Sequence, residues 1–177
     1  MTQTIIGDNM YYINCFFVYS FLGFLFETAV SKFTGNDFNS GILFGPITPI
    51  YGIGVVLIIV ISKYFFLNLH LPRWIETIIV FFILILVLTF IEWLGGILIE
   101  KLFGVVFWDY SHLKWNWGPY ISLEISLVWG VLSLLLIYII KPFLDSVVTK
   151  IPVYFTYIFI FVFVIDVVAT YVNKKFM

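Results

Sequence analysis

Charge is what this chain has least of. Only 11% of its 177 residues are Asp, Glu, Lys or Arg, whereas water-soluble domains carry about a quarter. Water is therefore not its main solvent. The formal net charge of −1 gives no electrostatic footprint for nucleic acid, and no polybasic run is available to dock on an anionic lipid surface. Cys15 stands alone, so no intramolecular disulfide can form, and its place within an apolar run makes packing its ordinary role. No GxxxxGK[ST] sequence occurs, which rules out ATP hydrolysis by the P-loop route. A nucleophile motif, a Gly-rich dinucleotide fingerprint, an HExxH and a cysteine cluster are all missing. No cofactor is expected, no metal can be named, and an enzyme is the minority reading. The first ten residues also lack a basic group, and the apolar run after them is too long for a cleaved signal peptide. That segment is expected to persist as a helix.

What fills the chain instead is hydrocarbon: 63% hydrophobic residues, 21% of the chain aromatic. Apolar stretches close to the ~20 residues needed to cross a bilayer run at about 9–30, 47–66, 74–99, 118–140 and 153–172. The composition predicts an all-α polytopic membrane helix bundle with five transmembrane helices, a single integral membrane domain over 1–177. Its connections are too short to hold a soluble domain. An odd number of spans puts the termini on opposite sides. Lys63, Arg73, Lys141 and Lys150 lie on the N-terminal side, against Lys32, Lys101, Lys114, Lys174 and Lys175 on the other. The positive-inside rule then leans, by one residue, to a cytoplasmic C-terminus.

Helices one and three end alike. Gly23-Phe-Leu-Phe-Glu27 leads to Lys32-Phe-Thr-Gly35, and Gly96-Ile-Leu-Ile-Glu100 leads to Lys101-Leu-Phe-Gly104. A Gly-Pro follows each, Gly45-Pro46 and Gly118-Pro119. A 2+2 parallel repeat plus a fifth helix accounts for this pattern, and chance recurrence in a biased composition accounts for it equally. Proline suits a first helical turn, where its missing N–H would be unpaired anyway. Thr48-Pro49 adds an N-cap hydroxyl, and Gly118-Pro119 offers the same opening without one. Gly41-Ile-Leu-Phe-Gly45 is apolar but too short to span, which suits a re-entrant turn.

Acids inside the apolar runs are the best functional clue. A carboxylate in hydrocarbon costs roughly 2.5–3.5 kcal/mol on insertion scales, so such residues ordinarily face the bundle interior and bind something. Glu92, Gly96 and Glu100 share one helix face, which Thr89 continues; Ser20, Gly23 and Glu27 make the matching stripe on helix one. Threaded as five spans, Glu27, Glu92 and Glu100 lie toward one membrane face. Small residues on these stripes let backbones approach, which points the glutamates into helix contacts. The functional reading is a carboxylate-lined cavity for a proton, metal cation or cationic solute. Its binding groups would be Glu27, Glu92 and Glu100, with Asp109 capping the mouth between Trp108 and Tyr110, and Thr48 beside it. The plainer reading has the glutamates snorkelling or pairing with Lys32 and Lys101. The plain reading wins for Glu100, the functional one for Glu92. Glu124 lies off the Ser122–Ser126–Trp129–Ser133 stripe of helix four. Asp166 has a polar ladder of Thr170 and Asn173 toward water, so hydration serves it as well as function does. His112 has no second histidine near it, and the loop around it fits an interfacial aromatic belt.

Several segments together carry a resemblance. Tyr19-Ser-Phe-Leu-Gly23 with Glu27, and Gly41-Ile-Leu-Phe-Gly-Pro-Ile-Thr-Pro-Ile-Tyr-Gly-Ile-Gly54, are the first two. Glu92-Trp-Leu-Gly-Gly-Ile-Leu-Ile-Glu-Lys-Leu-Phe-Gly104, Trp108-Asp-Tyr110 and Ser126-Leu-Val-Trp-Gly130 complete the set. In combination, over about residues 15 to 142, the chain resembles the putative ABC-transporter type IV family, the CmpB-like permeases. The resemblance implies a multi-pass protein of the bacterial cytoplasmic membrane with a permease role, and it leaves room for a separate ATPase subunit. Glu124 and Phe24 depart from the family's pattern. Three readings follow. The first is a small transport component with an acidic intramembrane site for a cation or proton-coupled solute, assembled as a homo-oligomer or with another membrane subunit. The second is a non-transporting membrane module that assembles with partner helices or senses lipid. The third, minor, is an intramembrane enzyme acting on a lipid headgroup.

Overall fold

Among the described residues, five apolar helical spans carry the chain, as the lengths of its apolar runs require. The computed structural model describes residues 2–34 and 43–176. Gly41, with which the re-entrant segment was expected to open, lies outside the described residues, as does Gly35. The helices are α1 (Thr2–Thr34), α2 (Pro49–Asn68), α3 (Arg73–Phe103), α4 (Leu123–Leu135), α5 (Lys141–Val148) and α6 (Val153–Phe176). A π-helical turn, Leu136–Ile140, joins α4 to α5. Asn9–Phe33, Pro49–Asn68, Arg73–Phe103, Leu123–Val148 and Val153–Lys174 are each long and apolar enough to cross a membrane.

Local chemistry sets where these helices begin and end. α3 stops at Phe103 because Gly104 takes a left-handed conformation, φ 68°, and returns its N–H to the Glu100 carbonyl. The π-helical turn has its cause in Pro142, which lacks an N–H and crowds the carbonyl four residues back. The wider turn relieves this, with the Lys141 N–H reaching the Leu136 carbonyl. α2 starts at Pro49 in its first turn, but the Thr48 hydroxyl makes no hydrogen bond among the described residues and so does not cap it.

The fourth span begins later than its Gly-Pro pair suggests. Gly118, φ 72°, and Pro119 instead turn a small antiparallel hairpin, β1 (Asn116–Trp117) on β2 (Ile121–Ser122). Ser122 then caps α4, its side chain accepting from the Ile125 N–H at 3.2 Å. A Gly at positive φ serves a turn, not a first helical turn. Ser122→Ala is expected to cost about 1 kcal/mol, read as a lower thermal midpoint of the purified protein; an unchanged midpoint would leave the cap without weight.

The chain divides into two compact units, Met1–Val56 with Leu144–Met177, and Leu57–Phe143. In the first, the core gathers around Cys15, Phe17, Tyr19, Val55 and Val148. The Phe17 ring meets Phe159 and Phe163 of α6 at 5.6 and 5.8 Å between centroids. A buried polar bond crosses the same contact, Thr156 Oγ1 to Asn14 Oδ1 at 2.7 Å. In the second unit, Val80, Leu84, Ile85 and Leu88 of α3 form the buried face, with Gly130 of α4 close against Phe81 and Ile85. Thr89 Oγ1 donates to Ser126 Oγ across these helices at 2.7 Å. The opposite faces stay apolar and exposed, as Phe82, Leu86 and Phe90 show on α3. Hydrocarbon is the solvent such faces suit.

Candidate functional site

In the second unit, α3 turns Glu92 and Gly96 inward while Glu100 remains exposed. Glu92 is only 4% exposed, a carboxylate buried within an apolar helix. Its Oε1 accepts from the Tyr110 hydroxyl at 2.9 Å. Trp129 of α4 meets the same carboxylate with its side chain. Oε2 is fully buried and has no hydrogen-bond partner among the described residues. Neither neighbour brings a positive charge. Such an oxygen ordinarily has a partner, so this one marks where another group would be welcome.

The loop after α3 is what delivers Tyr110. Trp108 Nε1 donates to the Tyr120 carbonyl at 3.0 Å, and the Tyr110 N–H to the Pro119 carbonyl at 2.8 Å. These bonds pin residues 108–110 against the hairpin turn, so the Tyr110 side chain can reach back along α3. Asp109, between them, points outward and is exposed. Its carboxyl accepts from Ser111, side chain and backbone N–H (2.8 Å), which holds it below the ordinary carboxylate range. That contribution is present above the ordinary carboxyl pKa and is lost as pH falls through the lower folded value. Asp109 turns the loop, and Tyr110 touches the site.

A second feature appears in both units. Gly96 packs so tightly under the Tyr120 ring that an added Cβ would fall on it, and the Tyr120 hydroxyl donates to Glu100. Glu100 holds the Tyr120 hydroxyl above its usual range, because ionisation would abandon that bond. In the first unit, Gly23 lies equally close under the Tyr51 ring, and Tyr51 hydrogen-bonds Glu27. A glycine and a glutamate one turn apart, bridged by one tyrosine from just beyond a Gly-Pro, thus occur twice. Glu27 and Glu100 pair with tyrosines here rather than with Lys32 and Lys101. Ser20 and Thr48 adjoin in the first unit, where the Thr48 N–H donates to the Ser20 carbonyl at 3.1 Å.

A family model described as Putative ABC-transporter type IV matches residues 14–171. The chain belongs to that family. Comparison with curated proteins and with solved structures finds no match. The ABC-transporter type IV match takes in Glu27, Tyr51, Glu92, Tyr110 and Tyr120, so both glycine–glutamate–tyrosine arrangements lie inside it. Membership together with five membrane-length apolar helices makes this a multi-pass membrane protein of a transporter family.

The remaining candidates have local duties. Glu124 Oε1 accepts from the Trp115 N–H at 3.1 Å and ties the hairpin to α4. Asp166 accepts from the backbone N–H groups of Phe44 at 3.0 Å and Gly45 at 2.9 Å, and from Thr170 at 3.3 Å. It holds the bend before α2 rather than a water ladder. His112 is exposed, and no group of three metal-ligating side chains forms among the described residues. Sequence reasoning missed Tyr51 and Tyr120, although each follows a Gly-Pro. It also missed Glu76, buried at the start of α3 with Arg73 at 3.0 Å and the Leu71 N–H at 3.2 Å. An acid in a first turn, three residues after an arginine, was the available signal.

Proposed function

We propose that this chain is a small transport component of the bacterial cytoplasmic membrane whose acidic intramembrane site, centred on Glu92, takes a cation or a proton-coupled solute. The observation that carries the reading is the buried Glu92 carboxylate, met by the Tyr110 hydroxyl and the Trp129 side chain and, among the described residues, by no basic partner. A buried acid must be neutralised by a proton or a cation, and no lysine or arginine is among its partners. Tyr110 and Trp129 orient the group without neutralising it, which leaves that role to whatever binds. Lacking a P-loop, the chain would draw ATP-derived energy only from a separate ATPase subunit.

Assembly belongs to the same proposal. Only 11% of the membrane-length window of α6 is buried inside the chain, which favours a homo-oligomer or another membrane subunit beside it. The same helix supports the second reading, a non-transporting module that assembles with partner helices.

Thermal stability of the detergent-solubilised protein, titrated with Na⁺, K⁺, Mg²⁺, Ca²⁺ and quaternary ammonium at pH 5 to 9, tests the site. Binding at 100 times Kd would add about 2.7 kcal/mol of stability. One cation, or protonation itself, is expected to raise the midpoint. A midpoint indifferent to every cation and to pH would sink the Glu92 site.

A further inference from the structure

The first unit contains polar groups that a helix facing only hydrocarbon would not keep. Along α1, Tyr11, Cys15 and Tyr19 recur every fourth residue on one ridge. At the start of that ridge the Tyr11 hydroxyl donates to Asp145 Oδ1 of α5 at 2.8 Å, and Cys15 hydrogen-bonds the same tyrosine. Tyr19 lies within electrostatic reach of both Cys15 and Asp145. Its hydroxyl is buried, the residue only 4% exposed, and has no hydrogen-bond partner among the described residues.

More buried hydroxyls follow Tyr19 in the same unit. Ser20, beside it, is 0% exposed, and Thr48, whose N–H donates to the Ser20 carbonyl, is 8% exposed. Among the described residues both hydroxyls lack hydrogen-bond partners. Tyr51 lies three residues on from Thr48, on the same side of α2, and hydrogen-bonds Glu27. So a carboxylate stands at each end, with three buried hydroxyls that have no hydrogen-bond partner among the described residues between them. From Tyr11 to Glu27 α1 advances roughly 24 Å, most of the ~30 Å hydrocarbon thickness of a bilayer.

We propose that this ladder on α1, running from Asp145 through Tyr11, Cys15 and Tyr19 to the Ser20–Thr48 pair and Glu27, is a proton-conducting path through the first unit. Packing alone would not select it, because an unpartnered buried hydroxyl carries a desolvation cost that phenylalanine, alanine or valine would spare. Hydroxyls suit protons in particular, since each can donate and accept at once. At every step one group gives its proton to the next as it receives one from the last. One proton enters at one carboxylate and one leaves at the other, with no change of oxidation state. Water bridging the middle hydroxyls would satisfy both their lone pairs and their protons. The proposal rests on the transport reading in that it names the proton as the coupling ion.

The full chain reconstituted into liposomes, with pyranine inside and a potassium diffusion potential set by valinomycin, measures the conductance. Proton entry well above that of empty liposomes is expected. Tyr19→Phe should lower it at least tenfold while the thermal midpoint stays level or rises, because an unpartnered hydroxyl has been removed. Ser20→Ala should do the same, and it serves should Tyr19→Phe fail to fold. Asp145→Asn should abolish entry. Wild-type flux no greater than that of empty liposomes, or a well-folded Tyr19→Phe or Ser20→Ala protein with undiminished flux, overturns the path. The cation titration centred on Glu92 uses solubilised protein and reads no flux, so either idea can fail without the other.

Discussion

Gly96→Val is expected to destabilise the second unit by about 1–3 kcal/mol through overpacking, and to break the Tyr120–Glu100 hydrogen bond as it does so. A Cβ at Gly96 would meet Tyr120 Cδ1, Cγ and Cβ at 2.5, 2.7 and 3.0 Å. The first two atoms could swing away with the ring. The third is fixed to the backbone of the hairpin turn, which is also held through its carbonyl by Trp108. The turn itself must therefore move, and with it the segment that carries Tyr110 to Glu92. Coupling is the discriminating measurement. Trimming the ring with Tyr120→Ala should make the glycine substitution cheaper, so the double variant should be less destabilised than the two singles added. Strict additivity in thermal or denaturant unfolding would mean that the contact carries no energy. Gly23→Val against Tyr51→Ala in the first unit should behave the same way.

The glycine–glutamate–tyrosine arrangement also shows what a sequence gives up easily and what it hides. Spans are legible because bilayer thickness demands about 20 apolar residues whatever they pack against. The inward face of α3 is legible too, since Glu92 and Gly96 are one turn apart and nothing but helical geometry is needed to align them. The partner of that face is not. Tyr120 and Tyr51 arrive from the next element, and only the length of the intervening turn decides whether a ring lands on the glycine.

The start of α4 misleads for a related reason. Gly-Pro reads equally as a helix opening or as a turn, and the hairpin pairing of Asn116 with Ser122 decides between them. Asp166 is harder still, because its donors are the backbone of Phe44 and Gly45, more than a hundred residues away. Local rules place helices and their faces. Contacts between distant segments place the groups that complete a site, and here those are Tyr110, Trp129 and the two bridging tyrosines.

At Glu92 the expected results separate structure from function. Glu92→Gln should leave stability within about 1 kcal/mol of wild type, since the amide keeps the shape of the acid and its Oε1 can still accept from Tyr110. It should nevertheless abolish cation-dependent and pH-dependent thermal stabilisation, because an amide neither titrates nor contributes a charge. Glu92→Ala should behave differently. It removes the acceptor of the Tyr110 hydroxyl, for about 1–3 kcal/mol, and opens space beside Trp129, so the midpoint should fall as well. The pair therefore reads two roles. Loss of cation response without loss of fold in the glutamine variant marks a binding carboxylate. Should Glu92→Gln unfold the protein as readily as Glu92→Ala, the carboxylate is an anchor for the loop that ends in the hairpin, and the transport site loses its centre.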